Sequence, residues 1–272
     1  MNAPFSLGSQ AMAVITVFSI KGGVGKTTLA TELAWRWAQT GDHNVLLWDL
    51  DPQGGASFLT GVGEPQRHRA AAIFQRDGRP REAVVPSRFR GLSLIPADPS
   101  LRLLPQVLPR FGPRRLQQVA SLLRSDYRRI VLDCPAGLSS VSEQALLAAD
   151  AIVVPLPPSP LSLRAFDQLR SELMRIHHHH APILPVLSMY NNRRPLHREV
   201  RLGDAAGWPM IPLASQLEQV AARRAPLSSF APDSIPDRSV ARLWRTIENR
   251  VSRSEPASAP AISFSPQQAA IA

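Results

Sequence analysis

The run AVITVFS, residues 13–19, leads without a break into IKGGVGKTT and then into LATELAWRWAQT. The first piece is short, apolar and β-rich, which suits a buried strand. The last piece places Leu29, Leu33 and Trp37 on one helical face, and Gly41 stops it. A strand that turns through glycines into a helix begins a βαβ unit, and the chain repeats the alternation. NVLLWDLD (44–51), RRIVLDCP (128–135), AIVVPL (151–156) and ILPVLSM (183–189) read as further buried strands, with helical patterns near 113–124, 139–149 and 161–178. We therefore expect an α/β fold, a doubly wound and mostly parallel sheet with helices on both faces. One domain is expected over residues 12–252, after a flexible tail at 1–11 and before a disordered Ser/Pro/Ala-rich tail at 253–272. Residues 60–112 are rich in Arg and Pro and read less easily. A short helix near 68–76 and a strand near 92–96 are expected there. Two or three more helices are expected in 191–250, the last at about 238–252.

The glycine loop carries chemistry. Gly22, Gly23 and Gly25 allow backbone N–H groups to turn inward around phosphate oxygens, and the helix N-terminus adds its dipole. In this P-loop context Lys26 would reach the β and γ phosphates and the Thr27 hydroxyl would bind Mg²⁺. The standard pattern wants glycine at position 20, where this chain has Ile20 followed by Lys21. Of 31 basic residues only Lys21 and Lys26 are lysine, and both lie in this loop. Asp49, Asp51 and Asp133 each end an apolar strand, where open α/β sheets bind ligands. A buried carboxylate is costly without a partner, and Mg²⁺ and water are suitable partners beside such a loop.

KGGVGKTT resembles the deviant Walker A loop of the ParA/MinD family of P-loop ATPases. VLLWDLDPQGGAS is similar to that family's second acidic motif, and IVLDCPAGLSS to its Walker B strand and switch. The likeness continues more weakly to about residue 250. The resemblance implies ATP and Mg²⁺ as cofactors, with Gly22, Gly23, Val24, Gly25, Lys26, Thr27 and Thr28 around the phosphates. It implies an ATP-sandwiched homodimer in which Lys21 touches the phosphates held by the other subunit, an electrostatic clamp like an arginine finger. A compact ammonium fits a crowded phosphate site where a planar guanidinium does not. By the same resemblance Thr27 binds Mg²⁺, Asp133 holds it through water, Asp51 orients the attacking water, and Asp49 supports the Mg²⁺ shell or the loop. Asn191, or its neighbour, and the backbone near Pro212 would flank the adenine. Hydrolysis is expected to be slow and stimulated by a ParB-like or adaptor protein.

The formal net charge is +10, which favours a polyanionic partner. Arg193, Arg194, Arg198 and Arg201 cluster after the fifth apolar run, Arg223 and Arg224 follow a helical pattern, and Arg242, Arg245 and Arg250 lie on the last one. Such residues give sequence-independent DNA binding, as ParA-like proteins show. No base-reading motif is visible, so operator recognition is not expected. No stretch approaches the ~18 apolar residues of a membrane span, and the start lacks the basic region of a signal peptide. The expected location is the cytoplasm, on the nucleoid, with a plasmid, a chromosome or a protein assembly as cargo. A MinD-like membrane-bound regulator would need an amphipathic C-terminal helix, and the tail is polar and broken by proline. An accessory ATPase of a secretion or cellulose-synthesis system shares the motifs without needing DNA. A single cysteine, Cys134, argues against a cluster carrier and is read as a small buried residue. His177–His180 are read as a solvated helix end.

Overall fold

The computed structural model describes residues 12–40, 44–63, 70–176 and 180–253. Eight strands form one sheet: β1 (Ala13–Val17), β2 (Val45–Asp49), β3 (Val85–Pro86), β4 (Leu92–Ile95), β5 (Arg129–Asp133), β6 (Ala151–Leu156), β7 (Ile183–Tyr190) and β8 (Met210–Pro212). Their order is β3-β4-β2-β5-β1-β6-β7-β8. All pairings are parallel except β3 with β4. The helices are α1 (Lys26–Gln39), α2 (Gly55–Thr60), α3 (Leu104–Val107), α4 (Arg115–Ser121), α5 (Ser140–Ala148), α6 (Pro160–Ile176), α7 (Pro195–Leu202), α8 (Ser215–Arg223), α9 (Leu227–Phe230) and α10 (Ile235–Arg253).

The central strands are apolar throughout because helices cover both faces. Val14, Leu46, Trp48, Ile130 and Leu132 face α4, α5 and α6. Ile15, Val17, Val45, Leu47 and Val131 face α1, α8 and α10. Leu29, Leu33 and Trp37 are buried in that second layer, as their spacing predicts. The five expected strands are present: three are trimmed at one or both ends, Ala151–Leu156 has the expected bounds, and Ile183–Tyr190 runs one residue further. The Arg/Pro-rich stretch departs from expectation in part: β4 stands where the strand near 92–96 was expected. Only Ala72–Phe74 forms a turn of 3₁₀ helix within 68–76, and residues 64–69 lie outside the described part. Proline at the first or second position of four short segments here, at residues 80, 99, 105 and 109, starts turns that do not propagate. The short strands β3 and β8 and the six-residue α2 have no period long enough to read from sequence. Of the expected tails only Arg253 is described, and of the histidine run only His180.

At the base of the sheet Arg129 is fully buried and bonds Glu248 of α10 at 2.6 and 3.1 Å. Glu248 also accepts from the Trp37 indole at 2.7 Å, so β5, α1 and α10 meet at one carboxylate. No helix among the described residues is long and apolar enough to cross a membrane.

Candidate nucleotide-binding site

Asp49 and Asp133 are direct neighbours, in register at the C-terminal ends of β2 and β5. Val17, at the end of β1, pairs with Asp133 on one side and Val153 on the other. The glycine loop leaves β1 here and enters α1 through Gly25, whose φ of 86° is easily reached only by glycine. Lys26 follows and is 7% exposed, tucked under the loop. Gly55, the first residue of α2, is also required sterically. A Cβ there would come within 2.9 Å of the Thr27 methyl.

The three carboxylates have three different environments. Asp49 accepts from the Ser57 amide at 2.9 Å, the Ser57 hydroxyl at 2.8 Å and the Asp51 amide at 3.2 Å. Of the two roles expected for it, these bonds serve the loop: they pin α2 and the turn carrying Asp51. Burial lifts its pKa to about 6 against those hydrogen bonds. Asp133 is fully buried, and neither oxygen has a hydrogen bond of ordinary geometry. Burial first, then the Asp49 charge, push its pKa well above the carboxylate range, while the nearby Thr27 hydroxyl and Lys26 pull the other way. Asp51 is half-exposed, and one oxygen accepts from the Gln53 amide at 2.9 Å. Cys134 is buried and its thiol is pushed further up, so it is no nucleophile.

Lys21 lies across the start of α6. Its Nζ donates to the Ser162 hydroxyl at 3.3 Å, and Ser162 bonds Ser159 at 2.8 Å. Neither serine stands out in the sequence. On the other side of the loop a cavity of about 210 Å³ is lined by Val24, Gly25, Thr28, Pro212, Leu213 and Glu32 among others. Pro212 thus borders the space beside the loop. Asn191 does not line it, and its side-chain oxygen accepts from the Arg193 amide at 2.9 Å. A register shift between Leu187 and Tyr190 puts Met189, at φ 54°, on the cavity wall.

Glu32 is a feature of this site that sequence reading missed. It is 1% exposed, one oxygen accepts from the Leu227 amide at 2.8 Å, and the other has no partner. The only signal was an acid on the apolar side of α1. Burial raises its pKa to about 7, partly opposed by the Leu227 amide and Arg36. A raised carboxyl pKa costs nothing below the unfolded value and destabilises progressively as pH rises toward the folded one. Glu32→Gln should therefore stabilise the protein at pH 8 by about 2 kcal/mol, after ~1 kcal/mol is lost to an unpaired amide. The gain should vanish below about pH 4.5, a trend that urea denaturation across pH would expose. A gain independent of pH would contradict the burial argument.

The expected arginines are spread over two layers. Arg193, Arg194, Arg198 and Arg201 are exposed on α7 and the turn before it. Arg223 packs over Phe230 and Arg224 over Phe58 at 4.9 and 4.0 Å, so both are held by rings. Arg245 is exposed on α10.

A strand, a glycine turn, a helix N-terminus and a bare carboxylate on the neighbouring strand define the nucleotide site of a P-loop protein. Residues 12–186 match a family described as an AAA domain. The chromosome partitioning protein ParA of Caulobacter vibrioides is 32% identical over 203 residues, covering 71% of this chain and 76% of that one. The chromosome-partitioning ATPase Soj of Thermus thermophilus is 31% identical over 247 residues, covering 87% and 96%. An ATP complex of McdA from Cyanothece superposes with a TM-score of 0.77 at 20% identity, covering 88% and 98%. The chain belongs to the ParA/MinD family of P-loop ATPases.

Proposed function

We propose that this chain is a partition-type ATPase that dimerises around ATP, binds DNA without sequence preference and positions a cargo until a partner protein stimulates hydrolysis. Asp133 is the observation that carries the reading. A fully buried carboxylate whose oxygens have no hydrogen bond of ordinary geometry among the described residues, beside Thr27 and Lys26, suits a divalent cation. Thr27 and Asp133 would hold Mg²⁺, which supplies charge neutralisation for phosphoryl transfer. Gly22 to Thr28 cradle the phosphates, Lys26 neutralises them from below, and Asp51 orients the water. Pro212 borders the base. Arg193, Arg194, Arg198 and Arg201, with Arg223, Arg224 and Arg245, supply phosphate contacts to DNA. The similarity to partitioning proteins supports this reading, and so does the net charge of +10.

In a single chain Lys21 rests on Ser162, and in the ATP dimer it would leave that contact for the partner's phosphates. Lys21→Ala should abolish ATP-dependent dimerisation or lower hydrolysis by about 10²–10³-fold, the usual cost of losing a charge-stabilising donor. Light scattering with ATP, alongside phosphate release, reads both. A variant that dimerises and turns over like the parent would remove the clamp, and with it this reading.

A further inference from the structure

Positive charge is distributed unevenly. Residues 70–130 hold twelve arginines against four acids, a net +8. Residues 191–250, which carry the arginines assigned above, hold ten against six acids, a net +4. The connection between β2 and β5 is thus the more basic part of the molecule.

Four of its arginines converge. Arg115 donates to the Phe74 carbonyl at 3.0 Å, also bonds the Gln75 carbonyl, and lies over the Phe111 ring at 6.0 Å. These contacts bring Arg76, next to Gln75, and Arg110, next to Phe111, to the start of α4, where Arg114 sits. Arg76, Arg110 and Arg114 are exposed. None of the four makes an ion pair among the described residues, whereas nearby Arg79 and Arg81 are tied to Glu82 and Asp126. Asp77 lies beside Arg76 in sequence, and Glu143 on α5 and Glu172 on α6 share a groove with Pro109 and Pro113, Glu172 being paired with Arg175. They leave the cluster strongly positive.

Guanidinium groups take phosphate oxygens in pairs, which suits a phosphate backbone. The placement points to the same polyanion as α7. The segment after α7 packs on α6 through Trp208 and Phe166, 5.2 Å apart, and α6 shares its core with α4 and α5. The cluster and the α7 arginines therefore end one helical layer, about four or five strand spacings apart, or ~20–24 Å. A duplex rises that distance in about six or seven base pairs. We propose that Arg76, Arg110, Arg114 and Arg115 form a second phosphate-binding surface, and that a duplex held by α7 is also held here. This rests on the DNA-binding part of the reading above.

The test uses the full ATP-loaded chain and a short random-sequence fluorescent duplex, with binding followed by anisotropy over a salt series. In Arg76→Ala/Arg110→Ala/Arg114→Ala, Arg115 is kept because its carbonyl bonds hold the turn. The slope of log affinity against log salt should fall by about 2–3, near 0.9 per lost contact, and low-salt affinity by ~10–100-fold. The matching triple lysine variant should restore most of the slope. An alanine variant with the parent's slope and affinity overturns the second surface while leaving DNA binding intact. A lysine variant as weak as the alanine one overturns it too, because the effect is then structural. If the parent itself binds no duplex with ATP, the DNA reading fails and this surface fails with it.

Discussion

Asp51→Ala should lower ATP hydrolysis by about 10²–10⁴-fold, the range for losing a group that positions and deprotonates a nucleophile, while ATP-dependent DNA binding persists. The argument is one of contrast. Asp49 holds α2 and its turn through three hydrogen bonds, so its loss disturbs the fold. Asp133 is buried with no hydrogen bond of ordinary geometry among the described residues, so its loss would remove the proposed cation site. Asp51 alone is half-exposed, and among the described residues its side chain accepts from the Gln53 amide only. Its removal should change stability by no more than ~0.5 kcal/mol, as at an ordinary surface position. A phosphate-release assay run beside anisotropy separates the outcomes. Turnover at the parent rate would end the role assigned to Asp51, and loss of ATP binding would reassign it to nucleotide affinity.

Far from the site, Glu248→Ala should destabilise the fold by about 3–5 kcal/mol, because it removes the carboxylate that accepts twice from a buried guanidinium. Arg129 is 0% exposed and its guanidinium receives two bonds' worth of compensation from Glu248, which also takes the Trp37 indole. Burial alone would raise the Glu248 pKa, yet Arg129, Trp37 and Ser252 outweigh it and hold it below the usual range. The sign follows. A depressed carboxyl pKa contributes stability above the unfolded value and loses it as pH falls through the folded one. The parent should therefore lose this contribution in acid and the variant should not. Urea midpoints at neutral and acid pH measure both effects. A midpoint within ~0.5 kcal/mol of the parent would show that water or Arg129's other contacts replace the carboxylate.

Much of the site was legible because its parts are local. A glycine turn between a strand and a helix needs only consecutive residues, and Asp49, Asp51 and Asp133 each end an apolar run that is itself readable. In the connection between β2 and β5 the strand near 92–96 and the helix near 113–124 were legible, but the rest was not, because proline-started turns have no period and the short strand β3 exists only by pairing with β4. Glu32 was missed because burial, not sequence, gives it significance. Asn191 shows the same limit from the other side: a residue at the expected position in the chain directs its oxygen to the adjacent turn.

Sequence alone determined the α/β class, the phosphate loop and the two acidic strand ends, Asp49 and Asp133, since strand, turn and helix preferences act over a few residues. Asp51, expected to end a strand, lies two residues past β2. Tertiary structure decided that Asp49 and Asp133 stand side by side with opposite hydrogen-bonding states, that Lys21 rests on Ser162, and that Arg115 ties the segments holding Arg76 and Arg110 to the start of α4. Those outcomes depend on strand order and on which oxygen is left dry, and neither is a property of any short stretch of chain.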